Sequence, residues 1–285
     1  MIQLGRYRHY KGNDYEVIGE ARHSETQEPF VVYRALYGEG GLWIRPRAMK
    51  NDRSPVTTAD LEVNRILREM QQTDFPDDGW LSEESPDDPA RLGKARVWIV
   101  DPIDGTKAFV NKLPEYCISV ALVEAGTPVL GAIFNPSTDE LFSAIVGQGL
   151  RVNGQSVSAA VPLEGRSQVL VNPWEYRGGR WAELDGRIHC RPILSIAHAL
   201  ALVAAGRMQA ALTIEPENEW DLAAGVLLVQ ESGGTVTDAE GRPFIFNQAT
   251  PRFRGVIAVS ATAGGELRPL LQTHADRARA KNRRS

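Results

Sequence analysis

Over the first 50 residues, apolar and polar positions alternate in short runs. Tyr15-Glu16-Val17-Ile18 and the run from Phe30 to Tyr37 are rich in β-branched and aromatic side chains, so both read as strands. Gly38-Glu39-Gly40-Gly41 then turns into a third run, Leu42-Trp43-Ile44, which Pro46 stops. About fifty residues of antiparallel β-structure form a module that is marginal alone. After Met49 the period changes. Behind Ser54-Pro55-Val56-Thr57-Thr58 and Asp60, apolar positions over 61–70 recur at helical spacing. An acidic, proline-rich stretch from Thr73 to about Arg91 reads as loop. Strands are expected over 97–100, 117–124, 129–134 and 141–146, and Asn153-Gly154 signals a hairpin. Helices are expected over 195–205 and 221–232, the second closed by Gly233-Gly234. Short strands over 210–214, 235–238 and 256–260 separate and follow them, and a last helix starts at Glu266. Mixed elements in this order predict a layered α/β (α+β) domain.

Composition narrows the class without naming a chemistry. Hydrophobic residues are 42% and charged residues 24% of 285, which is ordinary for a globular protein. Lys and Arg total 32 against 36 Asp and Glu, a net charge of -4, so binding nucleic acid through phosphate neutralisation is not expected. Two cysteines, Cys117 and Cys190, make no disulfide framework. The opening MIQLGRYRHYKG lacks the apolar core of a signal peptide, and no run approaches the roughly 20 apolar residues of a membrane span. A cytoplasmic protein without a membrane partner is the expectation.

The candidate chemistry begins where the apolar run Val97-Trp98-Ile99-Val100 meets Asp101-Pro102-Ile103-Asp104-Gly105-Thr106. Strand ends of this kind are where α/β folds place ligands. Asp101, Asp104 and the Ile103 carbonyl offer hard oxygen ligands suited to Mg²⁺. The N–H groups of Gly105 and Thr106, at a helix start, form a seat for phosphate. An Asp-Pro turn with a capping Asp is the bland alternative. Glu83 in Ser82-Glu83-Glu84-Ser85, Asp60, and Asp221 in Trp220-Asp221-Leu222-Ala223-Ala224-Gly225 add three acids. Without cations five converging carboxylates are untenable, because each pair at about 4 Å repels by roughly 4 kcal/mol at an effective dielectric of 20. With cations, they form a site for displacing a phosphate ester. The Asp-x-Asp-x-Thr signature of aspartyl-phosphate phosphatases does not fit, since the second Asp falls one position late.

Leu81-Ser82-Glu83-Glu84-Ser85, Asp101-Pro102-Ile103-Asp104-Gly105-Thr106 and Trp220-Asp221-Leu222-Ala223-Ala224-Gly225 resemble, in order and spacing, the three signatures of the inositol monophosphatase superfamily. The resemblance spans about residues 50 to 270. It implies a five-layer αβαβα sandwich of the inositol monophosphatase/fructose-1,6-bisphosphatase type and a lithium-sensitive phosphomonoesterase with two or three Mg²⁺ per site. By the same resemblance Glu83, Asp101 and the Ile103 carbonyl would hold one metal, and Asp101, Asp104 and Asp221 another. Thr106 with Asp60 would orient the attacking water, and Gly105 with Thr106 would bind phosphate. A homodimer is compatible with the resemblance.

Within the superfamily, Lys50 with Ser54-Pro55-Val56-Thr57, Gly105-Thr106-Lys107 and Pro216-Glu217-Asn218-Glu219-Trp220-Asp221 look most like 3′(2′),5′-bisphosphate nucleotidases, which act on 3′-phosphoadenosine 5′-phosphate. On the substrate side, with Ser195 and His198 as candidate residues, two positions depart; a helix histidine beside apolar neighbours is more often structural. Leu194 replaces a usual glycine, and Ala199 stands where nucleotidases place a lysine suited to a second phosphate. Inositol and sugar phosphates therefore stay open as substrates. So does a weakened scaffold that senses a phosphorylated metabolite. The family's long first helix is missing. Residues 1–49 instead resemble a small bacterial domain family of unknown function, through Gly5 to Gly12, Ala21 to Glu25 and Leu42-Trp43-Ile44-Arg45-Pro46. The expected division is a β-module at 1–49, a phosphatase domain at 50–272 and a basic tail at 273–285.

Overall fold

A computed structural model describes residues 5–8, 14–22, 24, 29–38, 40–46, 56–157, 165–184, 186–263 and 265–282. Lys50, Ser54 and Pro55 and parts of the N-terminal marks lie outside these residues. The chain divides into two compact units, Met1–Glu62 and Val63–Ser285. The division falls inside a helix, beyond the position that the change of period suggests.

The first unit carries strands β1 (Gly5–Arg8), β2 (Asp14–Arg22), β3 (Pro29–Ala35) and β4 (Leu42–Pro46). They form one antiparallel sheet in sequential order. Val17, Val31 and Ala35 are buried, and Tyr15 meets Tyr33 edge to face at 5.4 Å. Strand β1 was not expected from composition, because its charges hide the alternation. Helix α1 (Thr58–Asp74) then runs three residues earlier and four later than its apolar periodicity indicates.

The second unit is layered. Strands β5 (Gly79–Ser82), β6 (Arg96–Asp104), β7 (Cys117–Glu124), β8 (Thr127–Asn135), β9 (Glu140–Ile145), β10 (Leu150–Val152) and β11 (Gln155–Ser156) form a seven-stranded sheet, with α2 (Thr106–Val110) between β6 and β7. The expected loop over 73–91 thus contains a strand. Its four residues, Gly-Trp-Leu-Ser, are all buried and pair in parallel with β6, so they show no alternation to read. Strands β12 (Ser167–Val171), β13 (Ile188–Pro192), β14 (Ala210–Thr213), β16 (Thr235–Thr237) and β18 (Val256–Val259) form the second sheet, in the order β13-β12-β14-β18-β16. Its β12, β13 and β14 are mutually parallel. Between these strands lie α3 (Pro173–Arg177), α4 (Ile196–Ala204) and α5 (Glu219–Glu231), with a small ladder of β15 (Glu217–Asn218) and β17 (Arg252–Phe253).

Helices α4 and α5 are apolar and buried on every side, as a layer between two sheets requires. A Cβ at Gly225 would fall 2.5 Å from Leu200 Cδ1, and one at Gly131 would fall 2.9 Å from the Ala224 carbonyl oxygen. Glycine at these points brings α4, α5 and β8 into contact. Helix α1 lies on the outer side of the first sheet, where Asn64 bonds Ser82 and Ser85, and Leu67 and Met70 face Trp80 and Trp98. Helix α6 (Leu267–Asn282) covers the second sheet through buried Leu267, Leu271 and Ala275. The layers are helix, sheet, helix pair, sheet, helix, as the five-layer expectation states. Helix α6 takes in much of the basic segment after 272. Among the described residues no helix is long and apolar enough to cross a membrane.

Candidate active site

In a regular strand, residues three apart point to opposite faces. Asp101 and Asp104 escape that rule through a bulge. Asp101 pairs with Ser119 and Asp104 with Cys117, so Pro102 and Ile103 together stand against Ile118 alone. The extra residue puts both carboxylates on one side, and Pro102 sits where no ladder donor is needed. The bulge is fastened by the Ile103 N–H donating to Asp101 Oδ1 at 2.9 Å and by the Thr106 hydroxyl donating to the Ile103 carbonyl at 3.1 Å. Gly105 follows with φ of 88°, and a Cβ there would meet the Glu115 carbonyl oxygen at 2.8 Å. Only glycine takes that turn without strain.

Asp221 arrives from the first turn of α5, held by the N–H and side-chain amide of Asn218 at 2.7 and 3.2 Å. Oxygens of Asp101, Asp104 and Asp221, all buried, lie within 4.8 Å of one another. Burial pushes the Asp221 carboxyl well above the carboxylate range, and the charges of Asp104 and then Glu83 push it further. Glu83 therefore sits close enough to add its field, although it lies outside the 4.8 Å group. Its backbone is placed by an N–H bond to Val100 at 3.3 Å, which prolongs the β5–β6 ladder. Three crowded carboxylates with a carbonyl beside them form an all-oxygen donor set. That set fits a hard divalent cation, which would offset the repulsion. Asp60 accepts from the Thr57 N–H and hydroxyl at 2.8 and 2.6 Å, within the first turn of α1.

Asp104 is also gripped from behind. The Ser195 hydroxyl and the Ala197 N–H donate to its Oδ2 at 2.7 and 2.6 Å. Ser195 is thus a fully buried support for a carboxylate rather than a residue on the substrate side. His198 is buried as well, its Nε2 at 3.4 Å from the Asn135 amide, and burial drops its pKa to about 4. It is a neutral core histidine at ordinary pH. Ala199 has no exposed surface, so its register does not face a ligand.

A cleft of about 120 Å³ opens beside the acids, at the carboxyl ends of β12, β13 and β14. Asp104, Lys107, Trp174, Leu194, Thr213 and Glu217 are among the residues lining it. Glu217 and Trp174 received no role from the sequence. The signal for Glu217 was its place four residues before Asp221; Trp174 carried none. Burial, then Asp221 and Asp104, hold the Glu217 carboxyl well above its usual range. Beneath Trp174, Glu175 turns inward and accepts from the Thr213 hydroxyl and the Ile214 and Glu215 N–H groups at 3.3, 2.8 and 3.0 Å. Its burial raises its pKa to about 7.

The inositol monophosphatase family profile matches residues 40–277, and a protein family of unknown function (DUF1653) matches residues 5–65. The chain belongs to the inositol monophosphatase family. It is 37% identical to an inositol-1-monophosphatase of Rhizobium meliloti, over 68% of this chain and 76% of that one. It is 32% identical to a histidinol-phosphatase of Chlorobaculum parvum, over 70% and 78%. It is 31% identical to the 3′(2′),5′-bisphosphate nucleotidase CysQ of Escherichia coli, over 71% and 82%. Among solved structures, an IMPase of Thermotoga maritima superposes with a TM-score of 0.69 at 30% identity, covering 81% of this chain and 87% of that one. The chain is a phosphatase of this family, a phosphoric monoester hydrolase. Its relatives bear names with three different substrates.

Proposed function

We propose that this phosphatase uses Mg²⁺ to hydrolyse a small phosphorylated metabolite by direct attack of water, with no phosphoenzyme. The leading substrate class is the 3′(2′),5′-bisphosphate nucleotide, such as 3′-phosphoadenosine 5′-phosphate. The crowding of Asp101, Asp104 and Asp221 within 4.8 Å carries the reading. Those acids, the Ile103 carbonyl and Glu83 would hold the cations, which when bound neutralise phosphoryl charge and make a water acidic.

The remaining work falls to the chain itself. Ser195 and the Ala197 N–H fix the rotamer of Asp104, and Asn218 fixes Asp221. The Gly105 and Thr106 N–H groups seat the phosphate at a turn that glycine's positive φ makes possible. Thr106 keeps the water-orienting role that the family resemblance gives it. Phosphoryl transfer demands chiefly such positioning and charge stabilisation. Inositol 1-phosphate or a sugar phosphate is the second reading, favoured by Leu194 on the cleft wall.

Phosphate release from 3′-phosphoadenosine 5′-phosphate, inositol 1-phosphate and fructose 1,6-bisphosphate, with and without Mg²⁺, tests the proposal. Mg²⁺-dependent turnover, inhibited by Li⁺, is the expected result. Binding without turnover of any phosphomonoester would leave a sensor and overturn the enzyme reading.

A further inference from the structure

The residue expected to read a second phosphate is absent, since Ala199 is buried in α4. The cleft rim offers cations instead: Lys107 lines it, and Arg177 stands against Trp174, which also lines it. Helix α3 leaves the carboxyl end of β12 with its start fixed by Asn172, whose side chain accepts from the Trp174 N–H at 2.8 Å. Its inner side is anchored by Glu175 on the end of β14. Trp174 consequently projects outward from a pinned turn and stays 62% exposed on the cleft rim. Two cations rest on its ring. The Arg177 guanidinium lies 4.3 Å from the centroid and the Lys107 ammonium 5.2 Å.

The exposed ring of Trp174 stands where two cations reach it. Here it gathers two positive charges from separate elements, Arg177 one helical turn along α3 and Lys107 from α2, directly after Thr106. Neither cation is ion-paired among the described residues. Arg180, three residues beyond Arg177, differs in meeting Glu215 at 2.9 Å. Unpaired cations held over a cleft suit an anion that the substrate brings.

We propose that Lys107 and Arg177, held on Trp174, form the specificity-determining lip that receives a second, non-scissile phosphate of the substrate. This rests on the phosphatase reading and selects the bisphosphate class within it. A lone phosphate on a neutral polyol would reach the acids without engaging the lip.

The test compares matched pairs, adenosine 3′,5′-bisphosphate with adenosine 3′-monophosphate, and fructose 1,6-bisphosphate with fructose 1-phosphate. Wild type should favour the bisphosphate of at least one pair by tenfold or more in kcat/KM, and less so as salt rises, because exposed charges are screened. Arg177→Met and Lys107→Met should each cut that ratio about fivefold or more, through KM of the bisphosphate. Trp174→Leu should lower it too, and Trp174→Phe, which keeps a ring for the cations, should retain most of it. Trp174 and Arg177 are exposed, so thermal midpoints near wild type will confirm that these variants fold. Equal kcat/KM within both pairs, or charge-removing variants that keep the wild-type ratio, overturns the lip. Failure to hydrolyse any of these four compounds or inositol 1-phosphate overturns the phosphatase reading instead.

Discussion

The two walls of the cleft are built by opposite strategies. The acidic wall comes mainly from six consecutive residues, 101–106, where a bulge, a glycine turn and a short helix follow one another along one strand end. The facing wall is gathered from β12, β13 and β14 and the turns after them, with Trp174, Leu194 and Thr213 far apart in the chain. The acids are thus stored mostly in one local segment, and the wall facing them is assembled by the second sheet.

The largest expected effect breaks the acidic wall. Asp221→Asn keeps an oxygen for the Asn218 N–H but removes one of three charges. Loss of several kcal/mol of charge stabilisation predicts that kcat falls roughly 10²- to 10³-fold. Stability should move the other way. Asp221 is a carboxyl made costly by burial and by Asp104, so in EDTA the variant should melt at or above wild type. Its gain in melting temperature on adding Mg²⁺ should shrink, since less binding free energy is linked to the fold. Full Mg²⁺-dependent activity in this variant would refute the assignment of the acids.

The acidic wall was legible in the sequence because its residues are neighbours with a distinctive spacing. Even the bulge was implicit in Pro102, which cannot donate to a ladder. The facing wall was not legible. Family resemblance puts Ser195 and His198 on the substrate side, whereas apolar neighbours mark a helix histidine as structural; the packing of α4 against the sheets turns both inward, in line with the structural reading of His198. Strand β5 hid in an acidic stretch because a fully buried parallel strand shows no alternation. Which face of a helix meets a ligand is decided by its neighbours across the fold, and a single sequence does not display them.

A smaller effect probes the facing wall through Glu175. Its folded pKa of about 7 lies above the usual carboxylate value of 4.5, so protonation favours the fold. The contribution is complete below pH 4.5 and is lost as pH rises through 7. At 1.36 kcal/mol per unit, the loss between those limits is about 3 kcal/mol. Urea denaturation at pH 5 and pH 8 should show that loss in wild type, and Glu175→Gln should remove most of it. An equal pH dependence in the two proteins would show that the carboxyl is not buried as described.

The smallest effect concerns the layer that holds the walls in register. Helices α4 and α5 carry Ser195 and Asp221 to the site, and their separation is set where Gly225 meets Leu200. An added methyl would fall 2.5 Å from Leu200 Cδ1 and 2.6 Å from its Cβ, and Cβ cannot swing aside with a rotamer. Gly225→Ala must therefore move the helices apart or shift Leu200, a strain of about 1–3 kcal/mol. The motion separates Asp221 from Asp104, so kcat should fall with stability, whereas the preference between matched substrates that the proposed lip would set should not change. Leu200→Ala in the same chain removes the obstructing side chain beyond Cβ. It should recover part of the lost kcat even as its own cavity lowers stability further. Recovery of activity without recovery of stability would separate the spacing of the two helices from their packing as the cause.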